Sequence, residues 1–228
     1  MTALVRDVEW VLRHFGWPEE RPAPAARELP VARLVLVMVA GGAIYGAAMG
    51  SFSGVTEGHW RQVILSGIKV PFFLGATFLL CLAPYYTANA LMGLSRDFPQ
   101  ALRGLVGGLA VTGIVLATLA PFTLGVNASS NNYPGVVLWS ALMFGVASLS
   151  GHFRLRQHYA DLIRAARGHK ALLWLWTALF MFVGIQMAWM LRPFVGAPDQ
   201  PFQWFRPEAW GNAYIKLIDV MKAAVGNL

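Results

Sequence analysis

Charge is what this 228-residue chain has least of. Asp, Glu, Lys and Arg make up 13% of it, against roughly 25% in soluble domains. No acidic residue falls inside its long apolar runs, which argues against a proton relay or a carboxylate cation site within a membrane. Cysteine is almost absent too: Cys81 is the only one. It excludes an internal disulfide and, set in an apolar run, reads as a buried, inert thiol. The histidines His14, His59, His152, His158 and His169 show neither HxxxH nor HExxH spacing. There is no Lys-Ser/Thr phosphate loop and no GxSxG elbow. Glu9, Glu19 and Glu20, without an early apolar core, do not read as a cleavable signal peptide. These absences nominate no catalytic residue, no metal ligand and no cofactor, and the expectation is a protein that is not an enzyme.

What is present is apolar surface. Hydrophobic residues form 57% of the chain, with nine Trp and fourteen Phe, and the mean hydropathy is +0.52. The runs are continuous over about 20 residues, where barrel strands would alternate, so the class is an all-α polytopic membrane bundle. Five spans are expected, at about 31–52, 71–93, 102–124, 134–151 and 171–191. Pro71 fits the first turn of the second span. Lys69, just ahead of it, is expected to snorkel to headgroups. Residues 54–70 read as an interfacial segment anchored by Trp60. The turn at 94–100 is short, so spans two and three are expected to be antiparallel neighbours.

The flanks divide the chain into a tail at 1–30, the bundle at 31–191 and an outer segment at 192–228. Leu4, Val8, Val11, Leu12 and Phe15 share one helical face, an amphipathic helix on the membrane surface or docked beneath the bundle. A Pro-rich linker follows. A second amphipathic helix is expected in the basic connector before the last span, at 152–170, and a third from Pro207, with Trp210, Tyr214, Leu217 and Met221 on one face.

Three groups of residues stand out. Gly42, Gly46, Gly50 and Gly54 recur every fourth residue, so a helix there presents a flat stripe for close helix approach. Gly54 falls at the span's edge, leaving Gly42 to Gly50 as the working ladder, while Gly104, Gly108 and Gly145 mark small faces on spans three and four. Packing within the chain is the first claimant for the ladder and oligomerisation the second. In the membrane, Pro84 should kink span two, and Asn89 and Gln186 should each bond a neighbouring helix. Outside it, Arg192, Phe194, Phe202, Trp204, Phe205, Arg206 and Trp210 form an aromatic and Pro-rich stretch. It reads as an interfacial belt or, more sharply, as a cap that makes subunit contacts.

Basic residues set an orientation. Arg6, Arg13, Arg21, Arg27 and Arg33 precede span one; Arg96 and Arg103 lie between spans two and three; Arg154, Arg156, Arg164, Arg167 and Lys170 lie between four and five. The other side holds Arg61, Arg192, Arg206, Lys216 and Lys222. The positive-inside rule then places the N-terminus in the cytoplasm and the C-terminus outside. The formal charge of +7 resides mostly in these flanks, so the expected partners are membrane lipids and other integral membrane proteins or a second copy, not nucleic acid.

The sequence Tyr45-Gly46-x-x-Met49-Gly50, followed by Lys69-Val-Pro71 and Pro84-Tyr85-Tyr86-x-x-Asn89-x-x-x-Gly93, resembles the bacterial branch of the Yip family over roughly residues 30–190. These are five-span proteins whose eukaryotic relatives act in vesicle trafficking. The resemblance implies the same fold, a non-enzymatic character and protein partners, and carries over no catalytic residue. The expectation is a non-catalytic scaffold or accessory subunit, with uncharged loops suiting a bacterial inner membrane. The alternative is a channel or transporter subunit with a pore near the kinked second span.

Overall fold

The structure, a computed structural model, describes residues 3–14, 29–53 and 60–196. The ladder's Gly54, residues 54–59, most of the Pro-rich linker, Phe202, Trp204, Phe205, Arg206, Trp210 and the helix expected from Pro207 lie outside the described residues. Among the described residues there are six α-helices and no strand: α1 (Ala3–His14), α2 (Val31–Gly50), α3 (Trp60–Leu91), α4 (Phe98–Ser129), α5 (Tyr133–Ala165) and α6 (Gly168–Met190). Helices α2 to α6 are the five long and apolar enough to cross a membrane.

Two boundaries differ from the sequence reading. Pro71 does not open a span: α3 begins at Trp60 and runs through both Pro71 and Pro84. The apolar spacing of Val63, Ile64, Leu65 and Ile68 carries the helix back past the proline, and in a helix this long neighbouring helices hold the interruption in place. Likewise, residues 152–165 are not a separate amphipathic helix but the continuation of α5. Leu155, Tyr159 and Leu162 on this stretch are buried, so its apolar side faces the bundle. Only Ala166 and Arg167 separate α5 from α6.

The spanning helices close into a ring in the order α2, α3, α6, α5, α4 and back to α2. Spans two and three are therefore not close neighbours, although a short turn joins them. Helix α2 lies between α3 and α4, and its glycines explain why. A Cβ on Gly46 would stand 2.8 Å from the Ser66 carbonyl carbon, and one on Gly50 would stand 2.7 Å from the Gln62 oxygen, both on α3. On the other side of α2, Gly41 abuts Gly113 of α4, whose own added Cβ would meet Met38 Cα at 2.8 Å. One helix with two bare faces takes a neighbour on each.

The turn after α3 is fixed by Gly93, whose φ of 72° suits glycine. Gly93 N donates to Ala90 O and Leu94 N to Asn89 O, both at 3.0 Å, the hydrogen-bond pair of a Schellman cap. At the opposite end Asn127 Nδ2 donates to Ala48 O at 2.7 Å, satisfying a carbonyl in the last turn of α2. Helix α1 lies against α2 and α4. Its Val11 is fully buried, and Asp7, also buried, accepts from Arg33 at 3.0 Å.

The interior of the ring is filled by aromatic side chains. Phe144 of α5 meets Phe73 of α3 at 5.5 Å and Tyr45 of α2 at 6.0 Å, and Trp176 of α6 meets Phe78 and Tyr85 at 5.4 and 5.5 Å. The pairs stand edge to face, the arrangement ring quadrupoles favour.

Candidate functional site

Among the described helices, α3 carries the most buried polar groups. Along α3, Gln62, Ser66, Lys69, Thr77, Tyr85 and Asn89 are all buried, with Cys81 between them. Their spacing of three, four or eight residues keeps them on a slowly turning inner face. This face divides into two polar groups separated by Phe73.

The first group lies at the end of the bundle where α6 finishes. Lys69 is fully buried and donates to Pro193 O at 3.0 Å. It does not snorkel; the early start of α3 places it about two and a half turns inside the helix. Ser66 Oγ donates to Phe194 O at 2.5 Å and receives Gln62 Nε2 at 3.0 Å. Tyr133 OH reaches Val195 O at 3.4 Å. Three successive carbonyls of the strap after α6 are thus held by side chains of α3 and α5. The strap's side chains are held as well. Phe194 turns inward onto Phe73, at 6.1 Å between ring centres. Arg192 folds back onto α6, its guanidinium carbon 3.3 Å from the Trp189 ring centre and its Nε donating to Trp189 O at 3.1 Å.

The second group lies at the basic end, where the α3–α4 and α5–α6 turns meet. Tyr85 OH and Tyr159 OH share a hydrogen bond of 2.5 Å. His169, fully buried near the start of α6, bonds Asp97 Oδ2 of the α3–α4 turn at 3.0 Å through Nε2. One turn from Tyr85, Asn89 is fully buried, and neither of its amide atoms has a hydrogen-bond partner among the described residues. The expected bond to a neighbouring helix is therefore not made. His169 Nδ1 and Thr77 Oγ1 are in the same position.

The remaining expected residues are placed as follows. Gly42 lies over Pro71, an added Cβ standing 3.4 Å from the proline Cα. Gly104 faces the His158 ring, and Gly108 faces Gly151 O at 3.1 Å, both across the α4–α5 contact. Gly145 has nothing within 4 Å of an added Cβ and sits on the exposed side of α5. Pro84 is exposed on α3, and Gln186 is half-buried on α6. His152 and His158 turn to different partners, Thr177 Oγ1 at 3.5 Å and Gln100 O at 3.2 Å. Sequence reading missed the Lys69 clamp, the tyrosine pair and the Asp97–His169 bond. The clamp had a signal in the 62, 66, 69 spacing; the other two join residues more than 70 positions apart and had none.

No protein-family model, curated protein or solved structure matches this chain.

Proposed function

We propose that this chain is a non-catalytic integral membrane scaffold or accessory subunit that packs with other membrane proteins. The observation that carries this reading is the clamp on the strap after α6. A cation buried in a membrane helix is costly, and here it donates to a backbone carbonyl of the strap at 3.0 Å. Such an investment fixes a direction: it sets where the chain leaves the bundle toward Phe202, Trp204, Phe205, Arg206 and Trp210. That aromatic stretch is the partner surface in this reading. Gly145, open on α5, offers a second place where a foreign helix can approach closely. The resemblance to the bacterial Yip family favours the same conclusion, as does an inner-membrane setting with the basic end and the N-terminus in the cytoplasm. Affinity purification from native membranes tests the proposal. Partners should co-purify with the wild type and be lost from Lys69→Met, which keeps the bundle and loosens the strap. A strictly monomeric wild type with no companion overturns it.

A second reading, a channel or transporter subunit, draws on the polar face of α3 and the unpartnered Asn89. Flux through proteoliposomes that is abolished by Asn89→Leu would support it; absence of flux in the wild type would remove it.

A further inference from the structure

Serine and threonine hydroxyls inside a helix usually donate to a carbonyl one turn back. Thr112, Thr177 and Ser150 do so here, to Gly108, Leu173 and Val146. Thr123 of α4 and Ser140 of α5 do not. Both are buried, at 0% and 1% exposure, and neither hydroxyl has a hydrogen-bond partner among the described residues. Both lie beside the hydroxyl of Tyr45, which is fully buried on α2, yet neither meets the geometry of a bond to it. The Tyr45 hydroxyl gives its own proton to Ser140 O, at 3.3 Å. Two donors and the Tyr45 oxygen, from three helices, are therefore left facing one another without a bond between them. We propose that one water molecule binds at this junction, accepting from Thr123 and Ser140 and donating to the Tyr45 oxygen.

The chemistry of the site selects this ligand. None of the three groups carries charge, so a bound ion would lack its counter-charge. All three side chains exclude bulk solvent, so the ligand is small. A hydroxyl left unpaired in such surroundings is costly, and two of them share one remedy. Water satisfies both and makes three bonds in doing so, about the usual number for a buried water. The position also has mechanical meaning. Helices α2 and α5 both flank α4 and are not adjacent in the ring. The direct Tyr45–Ser140 bond that crosses between them is long for a hydroxyl donor, which favours about 2.7–2.8 Å. With the water bound, that weak tie becomes a joint among α2, α4 and α5. The site serves the bundle whether the chain is a scaffold or a channel subunit.

The test is X-ray radiolytic footprinting of the full chain in detergent, with tyrosine oxidation read by mass spectrometry. A buried ring is oxidised quickly only where a bound water is ionised beside it. Tyr45 should be oxidised several-fold faster than Tyr85 and Tyr159, which are equally buried and bond each other. Thr123→Val and Ser140→Ala should each lower Tm by about 2–4 °C, and the double variant should fall little further, because the water leaves with its first partner. In the double variant Tyr45 oxidation should drop toward the Tyr85 rate. Wild-type oxidation of Tyr45 no faster than that of Tyr85 and Tyr159 overturns the proposal, since the hydroxyls would then bond one another directly. A higher Tm in either single variant overturns it too, because the hydroxyls would have no partner at all. Additive losses in the double variant do the same, since they would mean two separate bonds. So does a wild-type Tm higher in sodium chloride than in choline chloride, with the difference lost in Thr123→Val, which would mean a cation in the site. If a variant does not fold, the wild-type oxidation ratio decides alone.

Discussion

Adding a single methyl group at Gly46 should separate two helices. Glycine to alanine inside a helix normally stabilises by about 0.5–1 kcal/mol, because alanine loses less backbone freedom on folding. At Gly46 the sign should reverse. The new Cβ would stand 2.8 Å from the Ser66 carbonyl carbon, 3.0 Å from Gly67 Cα and closer still to the Ser66 oxygen. All three are backbone atoms of α3, so no rotamer change relieves them. Restoring ordinary contact requires α3 to withdraw by about an ångström, at the typical overpacking cost of about 1–3 kcal/mol. Gly75 and Gly145 serve as internal references, since an added Cβ meets nothing within 4 Å at either. Gly46→Ala should therefore lie about 2–3 kcal/mol below Gly75→Ala, or roughly 4–10 °C in Tm for a chain of this size. Tryptophan fluorescence during heating in detergent reads this directly, and size-exclusion chromatography reports oligomeric state in the same samples. If Gly46→Ala unfolds at the same temperature as Gly75→Ala, the close approach of α2 and α3 is wrong. If it keeps its Tm and changes only its oligomer, the ladder serves another chain.

Lys69→Met should leave the bundle folded while releasing the strap. In a Cys81→Ala background, Val195→Cys is buried and should resist maleimide. Adding Lys69→Met should speed labelling about tenfold or more, given the usual worth of a charged hydrogen bond. Unchanged labelling would mean the clamp does not hold the strap. Asn89→Leu removes a buried amide that has no hydrogen-bond partner among the described residues, at little change in volume, and should raise Tm by a few degrees, from about 1–3 kcal/mol of relieved desolvation. A lower Tm would mean the amide is bonded after all. Tyr85→Phe and Tyr159→Phe should each cost about 1–2 kcal/mol by orphaning the partner hydroxyl, while the double variant costs little more than either alone. Additive costs in that double-mutant cycle would refute the shared hydrogen bond.

The helical class and the five apolar segments were legible because hydropathy is a local property. The glycine spacing at 42, 46 and 50 was equally plain, but its partner was not: nothing in span one says that α3 presents Ser66 and Gln62 to it. Nor does the sequence signal that Gly41, outside the four-residue repeat, takes α4 on a second face. Lys69 was misread through a sound local rule, since a proline two residues on resembles a helix start. The rule failed because tertiary packing supports Pro71 in mid-helix. Residues 152–165 read as a connector because charge dominates their composition, yet Leu155, Tyr159 and Leu162 already kept the helical period. The strap's carbonyls had no local signature, since backbone acceptors are invisible in side-chain patterns.

The ring order has a consequence for how the protein is made. Helix α6 is the last of the described helices to emerge and the one that joins α3 to α5. Until it arrives, Asp97 lacks His169, and Tyr85 lacks the cover of Trp176. Helix α3 settles on one face of α2 and α4 on the other, so the ring stays open between α3 and α5 until α6 is in place. The contacts allow the helices to be added in the order of synthesis, and a chain without α6 displays polar groups to lipid that the closed ring conceals. Such groups are what membrane quality control can recognise, because hydrocarbon offers them no substitute partner. Closure by α6 is thus the step that removes them from lipid.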